Sequence, residues 1–179
     1  MAAQDSRLQR ELRQTKPFAS ASQEAILGLL RTADVLRVRV TVLLEPHDIT
    51  PQQYNVLRIL RGAEPAGLPT LDVAERMIER TPGITRLLDR LEHKQLALRT
   101  RCRIDRRRIF CRITCHGLEL LATLDPQITE LHKVSTASLS LADHRRLIQI
   151  LDTLRETVPA DPNVGPHRAN YQHQKEKSS

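Results

Sequence analysis

Ten of the 28 Lys and Arg residues fall between Arg86 and Arg112: Arg86, Arg90, Lys94, Arg99, Arg101, Arg103, Arg106, Arg107, Arg108 and Arg112. Three acids, Asp89, Glu92 and Asp105, share that window, so it carries the whole net charge of +7 while the rest of the chain balances. All but one of the ten are Arg, whose planar fork matches phosphate oxygens and the edges of bases better than the point charge of Lys does. A polyanionic partner follows from that chemistry, the competing reading being a merely solvated basic face. Covalent catalysis finds no support. The six glycines are dispersed, with no Gly-x-x-x-x-Gly-Lys phosphate loop and no nucleophile with a base at a recognisable spacing. The seven histidines (47, 93, 116, 132, 144, 167, 173) form no His-x-x-His or His-Glu-x-x-His pair, and Cys115-His116 with His132 is at best a loose cluster. Neither a metal nor a cofactor is expected, and the chain does not read as an enzyme.

The elements that must hold this charge can be traced by hydrophobic period. Ile84, Leu87, Leu88 and Leu91 form an i, i+3, i+4, i+7 stripe, opened by Thr81-Pro82 as cap and first helical residue. Thr81, Thr85, Arg86, Asp89, Arg90 and His93 lie off the stripe. A shorter helix with Leu71, Ala74 and Ile78, capped by Thr70, precedes it, and two short helices around a tight turn make a helix-turn-helix pattern. From Ala97 to Thr114 the period changes to two. With Asp105-Arg106-Arg107-Arg108 as the loop, Ile104 pairs with Ile109 and Cys102 with Cys111. Leu98, Cys102, Ile104, Ile109, Cys111, Ile113 and Cys115 then share an apolar face, while Arg99, Arg101, Arg103, Phe110, Arg112 and Thr114 share the other. A half-buried basic hairpin directly after a helix-turn-helix is a wing. A helix fits the major groove of duplex DNA, and Arg at a hairpin tip can enter a narrow minor groove.

On either side stand longer helices. Ser22 caps one bearing Ile26, Leu29, Leu30, Ala33, Leu36, Val40, Leu43 and Leu44, which Pro46 ends. Thr50-Pro51 opens the next, with Tyr54, Leu57, Ile59 and Leu60, as far as Gly62, and residues 62–69 read as a loop. Leu118, Leu121, Leu124, Ile128, Leu131 and Val134 continue a helical stripe in which Asp125-Pro126 predicts a kink or break. Ser140 and Asp143 resemble a capping box for a last helix with Leu147, Ile148, Leu151, Leu154 and Val158, closed by Pro159. Residues 1–21 read as a polar arm and 159–179 as a disordered tail.

A chain of 179 residues suits one domain with its own core. No apolar run approaches a membrane span and the polar start lacks a signal peptide's apolar stretch, so a soluble cytoplasmic protein is expected. Cys102, Cys111 and Cys115 are too few and too apolar in setting for a disulfide framework. They read as small hydrophobes of the wing, with a redox role as the alternative.

Taken in order, several local motifs resemble the MarR family of bacterial transcription regulators. They are Ile49-Thr50-Pro51-Gln52-Gln53-Tyr54-Asn55-Val56-Leu57, Leu71-Asp72-Val73-Ala74 and Ile84-Thr85-Arg86-Leu87-Leu88-Asp89-Arg90-Leu91-Glu92. The most specific is Asp105-Arg106-Arg107 followed by Ile113-Thr114-Cys115-His116-Gly117. The resemblance covers about residues 22–158. Gln95 departs from it, standing where the family usually has Gly between recognition helix and wing, and the stretch before Thr70 is Pro-rich where the family has a short first strand.

The resemblance implies a mainly α fold with a small β-hairpin wing. Residues 46–115 would be the winged helix-turn-helix DNA-binding domain, and 22–45 with 116–158 the helical dimerisation domain. It further implies a homodimer on double-stranded DNA at a pseudopalindromic operator, usually a repressor, released by a small lipophilic or phenolic effector. DNA contacts are then expected from Thr81, Thr85 and Arg86, with Arg90 and Arg103 on backbone phosphates. At the wing tip Asp105 would orient Arg107 into the minor groove, and Arg106 and Arg108 would lie nearer phosphates. The alternative is a winged-helix adaptor that binds protein and no operator, although an adaptor has no reason to keep Arg so concentrated.

Overall fold

The computed structural model describes residues 6–79, 83–101 and 109–157. The chain divides after Ser135 into two units. Within the first, the opening residues, expected to be an arm, contain a short helix α1 (Arg7–Glu11), capped by Ser6 through its Oγ and the Gln9 amide. Helix α2 (Ala21–Leu44) starts earlier than the sequence suggests: Ser20, not Ser22, is the cap, its Oγ accepting from the Gln23 amide at 3.1 Å. Ser20 has the extended backbone a cap requires, which leaves Ser22 inside the first turn. Glu45–His47 form a 3-10 turn containing Pro46. Helix α3 (Pro51–Arg61) opens on the expected Thr50-Pro51, with Gln53 completing a reciprocal capping box.

The wing and its helices follow. Strand β1 (Leu68–Pro69) forms despite the Pro-rich approach. Gly67 makes this possible: at φ +74°, a Cβ there would lie 2.8 Å from the Cys111 carbonyl oxygen. Helix α4 (Thr70–Glu75) has Pro69 at its cap position with no side-chain hydrogen bond. Thr70 is therefore not the cap, and its hydroxyl instead faces the Cys111 sulfur at 3.6 Å. Helix α5 (Ile84–His93) starts from Gly83; the expected Thr81-Pro82 signal lies outside the described residues. Strands β2 (Ala97–Arg101) and β3 (Ile109–Ile113) complete an antiparallel sheet in the order β1-β3-β2.

The register of the wing differs from the sequence expectation. Cys111 pairs with Arg99 and Ile109 with Arg101, instead of with Cys102 and Ile104. The offset is odd, so every β2 residue changes face. Arg99 turns inward beside Cys111, and Leu98, expected inside, points to the opposite face at 36% exposure. Two interactions hold this register. Leu96 and Ala97 are buried at the base of the wing, and Arg99 finds carboxylates on α5.

Helix α6 (Cys115–Ser135) runs through Pro126 without the expected break. A proline removes one i→i−4 hydrogen bond, and here the adjoining Asp125 takes both arms of the Arg61 guanidinium, at 2.6 and 3.3 Å, fastening α6 to α3. Cys115 opens this helix in an exposed position and does not share the apolar wing face; Cys111 is fully buried, and burial pushes its thiol pKa up. Cys102 lies outside the described residues. The core joins α3, α5, α6 and the sheet through Val56, Leu57, Leu60, Leu88, Leu91, Ile113, Leu121 and Leu124.

Helix α7 (Leu141–Thr157) belongs to the second unit and buries none of its residues. Its expected capping box is present: the Ser140 amide donates to Asp143 Oδ2 and the Asp143 amide to Ser140 Oγ. Those bonds to Ser140 hold the Asp143 carboxyl below the ordinary carboxylate range.

Candidate nucleic-acid interface

Helix α5 is sharply two-faced. Leu88 and Leu91 are buried with Ile84 and Leu87 packed beside them, while Thr85, Arg86, Asp89, Arg90 and His93 are exposed. Arg86 and Arg90 stand one turn apart on that outer face, and neither has an acidic partner among the described residues. The two acids of the helix are engaged elsewhere. Arg99 Nη2 donates to Asp89 Oδ1 at 2.5 Å and to Glu92 Oε2 at 2.6 Å, while its Nε and backbone amide also bind Glu92. The bonds to Glu92 contribute most to raising the Arg99 pKa, so this cation is permanent. Sequence reasoning placed Arg99 on the outward basic face of the wing. Its actual work is to neutralise the carboxylates of α5, leaving a cationic outer surface there. Asp89 and Glu92, spaced i, i+3 just ahead of an Arg-bearing strand, were the available signal.

The helix is also anchored at its end. Lys94, its C-cap, donates to the backbone carbonyl and Oδ2 of Asp48, in the turn joining α2 to α3. Gln95 follows at φ +58°, the left-handed region that a Gly in this place would enter without strain. Thr114 closes the junction: its hydroxyl donates to the Gln95 carbonyl and accepts from the Gly117 amide. Gly117 has no room for a side chain, since a Cβ would lie 2.3 Å from the Leu96 carbonyl oxygen. Of the sequence-predicted contacts, the structure therefore brings Thr85, Arg86 and Arg90 onto one exposed face. Thr81, Arg103, Asp105, Arg106, Arg107 and Arg108 lie outside the described residues.

The fold is shared with known proteins. A MarR transcription factor from Planctomyces limnophilus is 36% identical; its crystal structure matches 76% of this chain and 99% of its own, with a TM-score of 0.59. The chain belongs to the MarR family. The family's model matches residues 49–109, from the α3 cap to the wing. The crystal structure of the Staphylococcus aureus MepR–DNA complex is 26% identical, covering 73% of this chain and 96% of MepR with a TM-score of 0.67. The homoprotocatechuate degradative operon repressor of Escherichia coli is 25% identical over 142 residues, 75% of this chain and 95% of that protein. MarR proteins are transcriptional regulators and not enzymes.

Sequence reasoning named no residues for a ligand. Between α2, α3, the segment after α4, and α6, the structure opens a largely apolar cavity of about 440 Å³, with Leu36, Val40, Tyr54, Met77 and Leu131 in its walls. That volume lies in the usual range for small-molecule sites. Burial raises the pKa of the Tyr54 phenol, which stays protonated there. Among the described residues no group of three or more His, Cys, Asp or Glu side chains could hold a metal ion, and no helix is long and apolar enough to cross a membrane.

Proposed function

We propose that this MarR-family protein is a homodimeric, sequence-specific DNA-binding repressor that leaves a pseudopalindromic operator when a small lipophilic or phenolic molecule binds. The observation that carries the reading is the outer face of α5, where Arg86 and Arg90 are exposed while Asp89 and Glu92 are held by Arg99. In this reading α5 enters the major groove, Thr81, Thr85 and Arg86 meet the DNA at its start, and Arg90 and Arg103 meet phosphates. Asp105 orients Arg107 toward the minor groove, with Arg106 and Arg108 on the flanking backbone. Residues 46–115 form the DNA-binding domain, and 22–45 with 116–158 the dimerisation domain. That the Escherichia coli relative is an operon repressor and that MepR forms a complex with DNA support the direction of control and the partner. The effector is assigned to the apolar cavity beside α2.

Binding to a duplex selected by the protein from a random pool should fall steeply with salt, with a log–log slope of about −5 to −10 for a dimer making several phosphate contacts. Arg86→Ala should cost about 1–3 kcal/mol and relax preference at one base position per half-site, whereas Arg107→Ala should track minor-groove width in the flanks. A flat salt response would favour the protein-binding adaptor instead.

A further inference from the structure

The register of the wing sorts its arginines onto two faces. Ala97, Arg99 and Arg101 of β2 share one face with Ile109, Cys111 and Ile113 of β3, while Leu98 and Thr100 share the other with Phe110 and Arg112. Alternation read from the sequence puts Arg99, Arg101 and Arg112 together; in the structure Arg112 stands opposite the other two. The first face is turned toward α5, because Arg99 reaches Asp89 and Glu92 from it. Arg101 lies two residues, about 7 Å, further toward the tip on that same face. It is exposed, and its side chain has no ion-pair or hydrogen-bond partner among the described residues. The nearest acids of α5 are already engaged by Arg99. Arg112 is exposed as well, but it is occupied: Nη2 donates to the Ala66 carbonyl at 3.3 Å, and its side chain lies across Gly67.

We infer that Arg101 binds the phosphate strand lying between the groove taken by α5 and the groove taken by the wing tip, and that Arg112 makes no DNA contact. This rests on the DNA-binding reading above and adds a contact which that reading leaves out. A protein with a helix in the major groove and a hairpin tip in the adjoining minor groove straddles the sugar-phosphate strand that separates them. The face of β2 turned toward α5 therefore looks onto that strand, and the opposite face of the sheet looks away. Phosphates recur about every 3.4 Å along a strand, so a cation on the near face meets a negative charge whatever the bases are. Arg99 and Arg101 divide the work. Arg99 neutralises two carboxylates that would repel the strand, and Arg101, next on the same face, supplies the charge that holds it. Such a contact fixes how helix and wing sit on the backbone and carries no base preference of its own. Arg112, equally cationic, secures the loop before β1 on the far side.

The test compares Arg101→Met with Arg112→Met in the full-length protein, on the duplex selected from a random pool. Arg101→Met should weaken that duplex about tenfold or more and flatten its log–log salt slope by about 2, for one lost contact in each half-site. The same factor should be lost on duplexes with substituted bases. Arg101→Lys should keep the slope, since a point charge suffices for a phosphate. Arg112→Met should leave affinity and slope as they are in the wild-type protein. Neutral methylphosphonates introduced one at a time should locate the contact: wild-type protein loses affinity at a phosphate in each half-site to which Arg101→Met is indifferent. A steep wild-type slope that Arg101→Met leaves unchanged would overturn this contact and leave the DNA-binding reading standing. Equal flattening by both variants would overturn the division between the two faces. A loss in Arg101→Met that varies with base sequence would overturn the phosphate assignment. A flat wild-type slope would remove this contact and the DNA-binding reading together. Should Arg101→Met fail to fold, the methylphosphonate series on wild-type protein decides alone, and finding no sensitive phosphate between the two grooves would overturn the contact.

Discussion

Helices α5 and α2 both carry an apolar stripe, and they use it differently. In α5 the stripe is satisfied inside the chain: Leu88 and Leu91 are 1% and 0% exposed, and everything facing outward is polar. In the 24 residues of α2, Leu44 alone is buried, while Leu30, Val38 and Val42 are 60%, 54% and 62% exposed. A helix of the first kind is fixed by its own fold and free to present a specific surface to another molecule. One of the second kind leaves apolar area in water that a second apolar surface would cover, and in a MarR protein the proposed cover is a second copy of the chain. The exposed Leu141, Ile148 and Ile150 place α7 in the same class as α2.

The largest expected effect breaks the first half of this contrast. Leu88→Ala should destabilise the folded chain by about 2–5 kcal/mol, read from urea unfolding, because it empties a packed core site. The paired change Leu30→Glu with Val38→Glu should leave the far-UV spectrum intact yet convert a species of twice 20.4 kDa to the monomer in sedimentation. If it unfolds the protein instead, α2 is a core helix in its own right and the contrast fails. A subtler change sharpens the account of α5. Arg99→Met releases Asp89 and Glu92 toward the DNA and should weaken the duplex by about 1 kcal/mol, an effect that Asp89→Asn with Glu92→Gln in the same background should reverse. The smallest effect is expected at the end of α5, where Gln95→Gly relieves the left-handed backbone. A gain of no more than about 1 kcal/mol in stability should appear as a slightly raised Tm with unchanged duplex affinity.

What the sequence determined by itself was whatever depends on neighbours along the chain. The stripe of α5, the Thr50-Pro51-Gln53 start of α3 and the Ser140–Asp143 start of α7 are local patterns, and they stand where the residue order puts them. The concentration of Arg, and with it the partner's chemistry, was likewise readable without a fold. The tertiary structure decided what depends on groups far apart in sequence. Strand alternation is the same in every register, so only the carboxylates of α5 and the buried Leu96 and Ala97 could choose the pairing that turns Arg99 inward. Nor does helical period reveal that Thr70 meets Cys111, or that Arg61 secures α6 beside its proline. The cavity is the extreme case: its walls come from stretches as distant as Ala33 and Ser135, and Glu79 meets Arg37 only because three helices and one connecting segment converge. Periodicity and capping are short-range properties, whereas the partner of a charge is settled by which distant backbone folding brings within reach.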